Sequence, residues 1–185
     1  MEHATKPLTT HEGVATFTFS DEALAECSTI LGRYPAEFSK SAIIPILHIA
    51  QAENEGWLSV SAMDAVAKLL KIQYIEVYEV ATFYSMYNLH PIGKHMLEVC
   101  HTVPCMLRGS DDIISHIESR LGIKPGETTK DGMFSLKAVE CLGSCGTAPM
   151  LQCGAKFHEH LTNEKVDSLI ETLRAEPNRN DYTDR

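Results

Sequence analysis

The chain has 185 residues, with 16 Lys and Arg against 25 Asp and Glu, which gives a formal net charge of −9 at pH 7. Its basic residues are scattered, which argues against nucleic-acid binding because phosphate contacts need a basic patch. This length can bury a real core, as one large domain or two small ones.

No segment predicts insertion into a membrane. The longest apolar run, residues 42–50, is too short to span hydrocarbon and is interrupted by Pro45 and His48. The first twenty residues hold one Lys, no Arg and no apolar stretch, which fits neither a secretory signal nor a transit peptide. We therefore expect a cytoplasmic or already processed protein, with any membrane link made through a partner.

Four amphipathic helices with short loops are predicted before a boundary at residues 90–93, and together they form a small bundle. They run over residues 22–31, from Ser39 or Ser41 to Gly56, from Ser59 or Ser61 through Leu70, and from about Tyr74 to Met86.

Individual residues predict the ends of these helices. Ser20 or Asp21 caps the first helix, and Gly32 ends it in a left-handed conformation. Ser61 and Asp64 have the spacing of a capping box at the start of the third.

After the boundary the pattern predicts an α/β unit, in which a strand is followed by a loop and a crossover helix. The predicted elements are a strand at 95–100, a helix at 111–121 between Ser110 and Gly122, strands at 134–140 and 149–157, and a last helix from Thr162 through Leu173. We thus expect a flexible N-terminal segment at residues 1–19, a helical bundle at 20–90, an α/β domain at 91–175 and a C-terminal tail at 176–185.

Four of the six cysteines form two short clusters, each in a turn at the end of a predicted strand. Cys100 and Cys105 make the first pair, and Cys141 and Cys145 make the second. Two pairs of thiolates match a 2Fe-2S cluster, in which each iron takes two protein sulfurs. The sequence therefore predicts one 2Fe-2S cluster and a one-electron carrier.

Three other uses of these cysteines are possible. A structural zinc site is one, although zinc usually takes Cys pairs two to four residues apart. A dithiol redox enzyme would need a Cys-x-x-Cys motif, which this chain lacks. Unliganded structural cysteines are the third possibility.

Small and hydroxyl-bearing residues lie between and beside these cysteines. Gly143 and Gly146 lack side chains, so that backbone N–H groups can approach the sulfurs. Thr102, Ser144 and Thr147 are candidate hydroxyl donors to the same sulfurs.

Three segments carry a resemblance to a known family. They are residues 77–87 (Val-Tyr-Glu-Val-Ala-Thr-Phe-Tyr-Ser-Met-Tyr), residues 100–109 around the first cysteine pair, and residues 139–149 around the second. From about Arg33 to Leu173 the chain is similar to the small 2Fe-2S subunit of NADH:quinone oxidoreductase, respiratory complex I, which is called the E subunit in bacteria. The resemblance implies an α+β fold, with an N-terminal helical bundle followed by a thioredoxin-like α/β domain that carries the cluster.

The resemblance also implies a site and a setting. It makes Cys100, Cys105, Cys141 and Cys145 the cluster ligands, and it places NADH and FMN on a larger partner flavoprotein. The cluster is then an off-chain acceptor beside the flavin, within a respiratory complex on the inner membrane. It would hold one electron, limit the lifetime of the flavin radical and stabilise the flavoprotein. No Gly-x-Gly-x-x-Gly loop is present, so we expect no NADH site on this chain alone.

Two alternative settings remain. The same module serves NAD-linked hydrogenases and formate dehydrogenases as a diaphorase subunit. A free ferredoxin shuttle or a zinc-binding adaptor belongs to a different class. A docking bundle argues against the shuttle, because a free carrier needs little beyond its cluster domain.

The sequence also gives expectations for the two remaining cysteines and for three histidines. Cys27 and Cys153 are expected to be small buried hydrophobes. His101 either couples proton uptake to cluster reduction or faces solvent. His158 and His160 would share one strand face.

Two further segments complete the expectations. The Ala148–Pro149 peptide is expected to be trans by default. The aromatic residues at 83–87 read as the end of a core helix, part of which also packs on the flavoprotein if the resemblance holds.

Overall fold

The computed structural model describes residues 16–175, which divide between Pro91 and Ile92 into two compact units. Residues 1–15 of the expected N-terminal segment and the expected tail at 176–185 lie outside the described residues. The first unit is helical and the second combines helices with a sheet, so the predicted α+β class is confirmed.

The first unit is a bundle of four α-helices joined by short connections. Its elements are α1 (Asp21–Leu31), a 3-10 helix (Ala36–Ala42), α2 (Ile43–Glu53), α3 (Val60–Leu70) and α4 (Tyr74–Phe83). Side chains of all four α-helices meet in one buried core, which includes Ile46, Met63 and Val77. Burial of these apolar side chains is the main favourable term in the folding of this unit.

Residues 16–19 belong to this bundle, although the sequence analysis grouped them with a flexible segment. Phe17 and Phe19 are partly buried against the bundle core. Their rings make an edge-to-face contact with centroids 5.0 Å apart. Such aromatic pairs stabilise a fold beyond the area they bury.

Helix α1 has the predicted N-cap and the predicted last residue, Leu31, but the conformation of its C-cap differs from the prediction. Ser20 is the cap, and its Oγ accepts the Ala23 N–H at 3.1 Å. The left-handed conformation predicted for Gly32 is wrong, because its φ is −63°. Gly32 continues the helical hydrogen bonding by donating to the Ser28 carbonyl at 3.0 Å, so the chain does not reverse there.

Helix α2 is shorter than the predicted span at both ends. It begins at Ile43, because the preceding residues form the 3-10 helix with a kink at Phe38. Pro45 lies in the first turn of α2, where its missing N–H removes no helical hydrogen bond. The helix ends at Glu53, before the predicted stop at Gly56.

The capping box predicted at Ser61 and Asp64 is wrong. Ser59 caps α3, and its Oγ accepts the Ala62 N–H at 3.1 Å. The Asp64 carboxylate instead accepts the hydroxyl of Tyr78 at 2.6 Å, which ties α3 to α4.

Helix α4 ends three residues before the predicted Met86. Tyr84 has an extended backbone with ψ 117°, so the helix stops at Phe83. Phe83 is 79% exposed, so this part of the aromatic segment is not a core helix end.

The second unit is a four-stranded sheet with two helices on one face. Its elements are β1 (His95–Cys100), α5 (Val103–Leu107), α6 (Ser110–Leu121), β2 (Phe134–Val139), a 3-10 turn (Cys145–Thr147), β3 (Leu151–Cys153), β4 (Lys156–His158) and α7 (Asn163–Arg174). The strand order is β2-β1-β3-β4. β1 and β2 are parallel, and the pairs β1–β3 and β3–β4 are antiparallel.

Three elements of this unit differ from prediction. The short helix α5 was not predicted. Ser110 is the first residue of α6 and not its cap, which is Gly109 with φ 93°. The strand predicted at 149–157 is a hairpin of β3 and β4, because Gly154 turns the chain with φ 59°.

Helices α6 and α7 pack on one face of this sheet. Leu97 and Val99 of β1 and Leu136 of β2 meet Ile117 of α6 and Ile170 of α7 in a buried apolar cluster. Because successive side chains of a strand alternate between faces, Cys100 lies on the face opposite Val99. The sheet therefore separates this core from the cysteines at the end of β1.

A glycine before β1 allows a close backbone approach. A Cβ at Gly93 would lie 2.8 Å from the carbonyl carbon of Phe134. The Gly93 N–H donates to Ser135 Oγ at 2.8 Å. This contact aligns the starts of β1 and β2 side by side.

Between residues 16 and 175, no helix combines the length and the apolar character that crossing a bilayer requires.

Truncation of a core side chain tests the bundle. Ile46 in α2 is fully buried and Ile75 in α4 is 58% exposed. We expect Ile46→Ala to lower the free energy of unfolding by about 2–5 kcal/mol, because it removes buried methyl groups and leaves a cavity. The matched Ile75→Ala should change it by less than about 0.5 kcal/mol. Urea unfolding measures both, and equal effects would contradict this core.

Candidate metal centre

The four clustered cysteines lie at one edge of the sheet of the second unit. Cys100 is the last residue of β1, and Cys141 follows shortly after the end of β2. These parallel strands pair in register with Cys100 opposite Val139, so their C-terminal ends open at the same edge. The fold therefore brings together two clusters that are far apart in the sequence.

The first pair is buried. Cys100 and Cys105 pack with Ala148 and Met150 in a small apolar cluster, and Leu142 from the second loop lies against it. Cys105 lies on α5, so this short helix turns the second thiol back towards the first. The thiols are close enough for a hydrogen bond between them.

The second pair is at the surface. Cys141 and Cys145 are both exposed, and their Sγ atoms lie 3.6 Å apart. Cys145 begins the 3-10 turn and Cys141 lies in the loop before it. The site thus has one half shielded from solvent and one half accessible to it.

Hydrogen-bond donors surround the sulfurs of both pairs. The hydroxyl oxygen of Thr102 lies 3.4 Å from Cys100 Sγ, and the Leu142 N–H also donates to that sulfur. The Gly143 N–H donates to Cys141 Sγ at 3.4 Å. Gly143 has φ 85°, a conformation that glycine adopts without strain. The predicted approach of this backbone N–H to a sulfur is confirmed.

The environment of the buried pair favours one thiolate and resists a second. Burial acts to raise the pKa of Cys100, but hydrogen bonds from Thr102 and Leu142 outweigh it and lower that pKa. The pKa of Cys105 is raised to about 11, mainly by burial and further by contact with the Cys100 thiol. A bound metal would displace the remaining proton, because thiolates are the form that ligates metals.

The donor set fits a 2Fe-2S cluster better than a zinc ion. The four thiols are arranged as two pairs, and the two sulfurs of each pair are neighbours. A structural zinc needs four such ligands around one point, whereas each iron of a 2Fe-2S cluster takes only two protein sulfurs. Two close thiol pairs with N–H donors are the arrangement that the cluster requires.

Comparison with known proteins agrees with this geometry. The family model described as thioredoxin-like [2Fe-2S] ferredoxin matches residues 27–174. This chain belongs to that family. Membership indicates one 2Fe-2S cluster and electron transfer, and it confirms the thioredoxin-like fold expected for the second unit.

The chain is also similar to subunits of one oxidoreductase. The E subunit of NADH-quinone oxidoreductase from Rickettsia bellii (strain RML369-C) is 47% identical over 161 residues, which cover 87% of this chain and 96% of the relative. The E subunit from Rickettsia prowazekii (strain Madrid E) is 49% identical over 156 residues, which cover 84% of this chain and 88% of the relative. The resemblance to this small 2Fe-2S subunit is therefore confirmed.

A solved structure supports the fold alone. The NAD+-reducing [NiFe]-hydrogenase in the H2-reduced state matches with a TM-score of 0.64 at 21% identity. The match covers 72% of this chain and 22% of the hydrogenase chain.

Two of the predicted hydroxyl donors of this ferredoxin-family site do not contact sulfur. Ser144 Oγ and Thr147 Oγ1 lie 2.7 Å apart, and both donate to the carboxylate of Glu159. Their predicted role as donors to the cysteines is wrong, because this carboxylate is the stronger acceptor. Sequence reasoning missed Glu159, since its approach depends on the hairpin that the sequence did not reveal.

The remaining two cysteines are each buried in the apolar core of their own unit. Cys27 lies in the core of the first unit and Cys153 in that of the second, so both are small buried residues as predicted. The pKa of Cys27 is raised to about 11, mainly by burial and further by the negative charge of Glu26. This thiol is therefore protonated at neutral pH.

Three histidines carried predictions from the sequence, and the structure places them as follows. His101 has a side chain 40% exposed, with Nε2 4.0 Å from Glu140 Oε1. His158 ends β4, whereas His160 lies beyond it with φ 48°. The predicted shared strand face is wrong for these two histidines.

The Ala148–Pro149 peptide is cis and not trans as expected.

Alkylation tests the burial of Cys27. We expect the folded protein to react with iodoacetamide at Cys27 at least about a hundredfold more slowly than the urea-unfolded chain at pH 8, because the thiolate is scarce and inaccessible. Peptide mapping by mass spectrometry gives the rate at this position. Equal rates in the two states would show that the thiol is neither buried nor shifted in pKa.

Proposed function

We propose that this chain is the one-electron carrier subunit of the NADH-oxidising module of NADH:quinone oxidoreductase. In this role it accepts electrons from the FMN of a partner flavoprotein through a 2Fe-2S cluster. The observation that carries the proposal is the convergence of two thiol pairs at the shared end of β1 and β2. When bound, the cluster takes up and releases single electrons.

The ligands in this proposal are Cys100, Cys105, Cys141 and Cys145. Each close pair would hold one iron, because the two sulfurs of each pair are neighbours. Cys27 and Cys153 are not ligands, since they lie in the two apolar cores.

The polar groups around the sulfurs suit this role. The N–H groups of Leu142 and Gly143 donate hydrogen bonds to the sulfurs of Cys100 and Cys141. Hydrogen bonds to sulfur, net charge and exposure are the features through which a protein adjusts the potential of such a cluster. The exposed pair provides a short route for an electron to a docked partner.

The surface beside the site suits a protein partner. Val103, Met106 and Leu107 of α5 are exposed, and they flank the buried Cys105. A run of exposed apolar side chains is typical of an interaction surface. The net charge of −9 favours a partner with basic docking groups.

The host complex in this proposal follows from the relatives. The two Rickettsia relatives are 47% and 49% identical over most of this chain, whereas the hydrogenase is 21% identical. This difference favours NADH:quinone oxidoreductase over an NAD-linked hydrogenase or formate dehydrogenase. Within it, the chain would be cytoplasmic and peripheral to the inner membrane through its partners.

Replacement of single cysteines tests the ligand set. We expect anaerobically purified protein to hold about two irons and two sulfides per chain and to give a rhombic S = 1/2 EPR signal after dithionite reduction. Cys141→Ala should lose this signal, because it removes one of the four sulfurs. Cys153→Ala should retain it, because Cys153 lies in the apolar core.

Two results would contradict the carrier function in that experiment. Zinc in place of iron and sulfide would make the site structural. A protein without metal that titrates as a disulfide would make it a thiol redox site. A retained signal in Cys141→Ala would instead overturn the assignment of that ligand.

The role beside the flavin is tested in the assembled complex. We expect the Cys141→Ala complex to release more hydrogen peroxide per NADH oxidised, because an electron that this chain would store remains on the flavin and can reach oxygen. An amperometric peroxide assay measures this, with the Cys153→Ala complex as the control. An unchanged peroxide yield in an intact complex would exclude the storage role.

A further inference from the structure

The loop that carries Cys141 and Cys145 has few apolar contacts to hold it in place. Both cysteines are exposed, and the 3-10 turn buries none of its three residues. Within residues 141–147, Leu142 is the residue that packs against the apolar cluster around Cys100. The placement of the exposed thiol pair therefore depends on polar contacts.

Glu159, which follows β4, supplies such contacts on both sides of Cys145. Its Oε1 lies 2.5 Å from Ser144 Oγ and 2.6 Å from Thr147 Oγ1. Ser144 directly precedes Cys145, and Thr147 follows it by two positions. One carboxylate oxygen thus accepts hydrogen bonds from both ends of residues 144–147, the Cys145 turn.

The backbone next to Glu159 is itself anchored to the sheet end. The His160 N–H donates to the Thr147 carbonyl at 2.8 Å, and the Leu161 N–H donates to the Pro149 carbonyl at 2.9 Å. Leu161 is buried in the core of this unit. The Glu159 side chain therefore extends from a fixed backbone to the Cys145 turn.

We propose that Glu159 is a positioning residue for the 2Fe-2S site, whose carboxylate holds the Cys145 turn and thereby orients the Cys145 sulfur without binding iron. This inference rests on the function proposed above. Hydrogen bonds from Ser144 and then Thr147 lower the pKa of Glu159, so its carboxylate is ionised at neutral pH. Hydrogen bonds to an ionised acceptor are stronger than those between neutral groups.

A second carboxylate separates positioning from an effect of charge alone. Glu140 directly precedes Cys141, its side chain is 82% exposed, and it lies 4.0 Å from His101. It therefore places negative charge near the same thiol pair without a contact to the Cys145 turn. Glu140→Gln removes a charge there and leaves the Glu159 contacts intact.

The experiment adds excess iron chelator to the full-length holoprotein and measures the rate of cluster loss from the decrease in visible absorbance. EPR g-values of the reduced cluster are recorded for the same variants. We expect Glu159→Ala to lose its cluster about tenfold faster and to shift the g-values, because two hydrogen bonds to the turn are lost. Glu159→Gln should stay within about threefold of the parent, since its amide oxygen still accepts hydrogen bonds. Glu140→Gln should also match the parent within this range.

A double-mutant cycle assigns the effect to the turn. Thr147 Oγ1 also lies 3.0 Å from the Ser144 carbonyl oxygen, so the cycle pairs Ser144→Ala alone with Glu159→Ala. Ser144→Ala should speed cluster loss in the parent and should change it by less than about threefold in Glu159→Ala. Each variant should keep the far-UV circular dichroism spectrum of the parent, because the changed residues lie in the Cys145 turn and in the loop after β4. Three results would each overturn the proposal. They are cluster loss in Glu159→Ala at the parent rate, cluster loss in Glu140→Gln as fast as in Glu159→Ala, and additive effects in the cycle.

A separate readout distinguishes failure of this inference from failure of the proposed function. Iron and sulfide analysis of the parent tests the function. The Thr147 N–H, which donates to the Ser144 carbonyl at 3.1 Å, reports on the turn with or without a cluster. Its hydrogen exchange should be about tenfold faster in Glu159→Ala than in the parent, because the turn opens more often. Unchanged exchange would overturn the positioning role.

Discussion

The parallel pairing of β1 with β2 is the constraint on which the site depends. Cys100 lies opposite Val139 in this register, so the loops that leave the two strands begin next to each other. α6 provides the crossover that parallel strands require, and with α7 it covers the opposite face. A slip of one residue would turn Cys100 towards that covered face, because strand side chains alternate.

The two halves of the site are held by different forces. Cys100 and Cys105 are fixed by apolar packing with Met150 and Ala148, and burial there makes a second negative charge costly without a metal. The exposed pair has little apolar packing and is fixed by hydrogen bonds. A carrier benefits from this difference, because one half is shielded from water while the other stays accessible to a partner.

Prediction from sequence succeeded where the local residue pattern was compatible with only one secondary structure. The run at 95–100 holds Met96, Leu97 and Val99 and follows Gly93, and β1 has the predicted bounds. Helix ends were harder, because several neighbouring residues can cap: Ser59 caps α3 where Ser61 also fitted the pattern. The helix at Val103–Leu107 is too short to show periodicity, and its Pro104 resembles a turn signal.

The sequence by itself determined a pattern of helices followed by strands and two pairs of thiols after two of those strands, and the family resemblance made a 2Fe-2S cluster the expected cofactor. Only the tertiary structure decided which pair is buried, and that Ser144 and Thr147 contact Glu159 and not a sulfur. The physical reason is that these contacts join residues of separate loops. Their directions follow from strand pairing and from the turn at Gly154, which residue spacing does not encode.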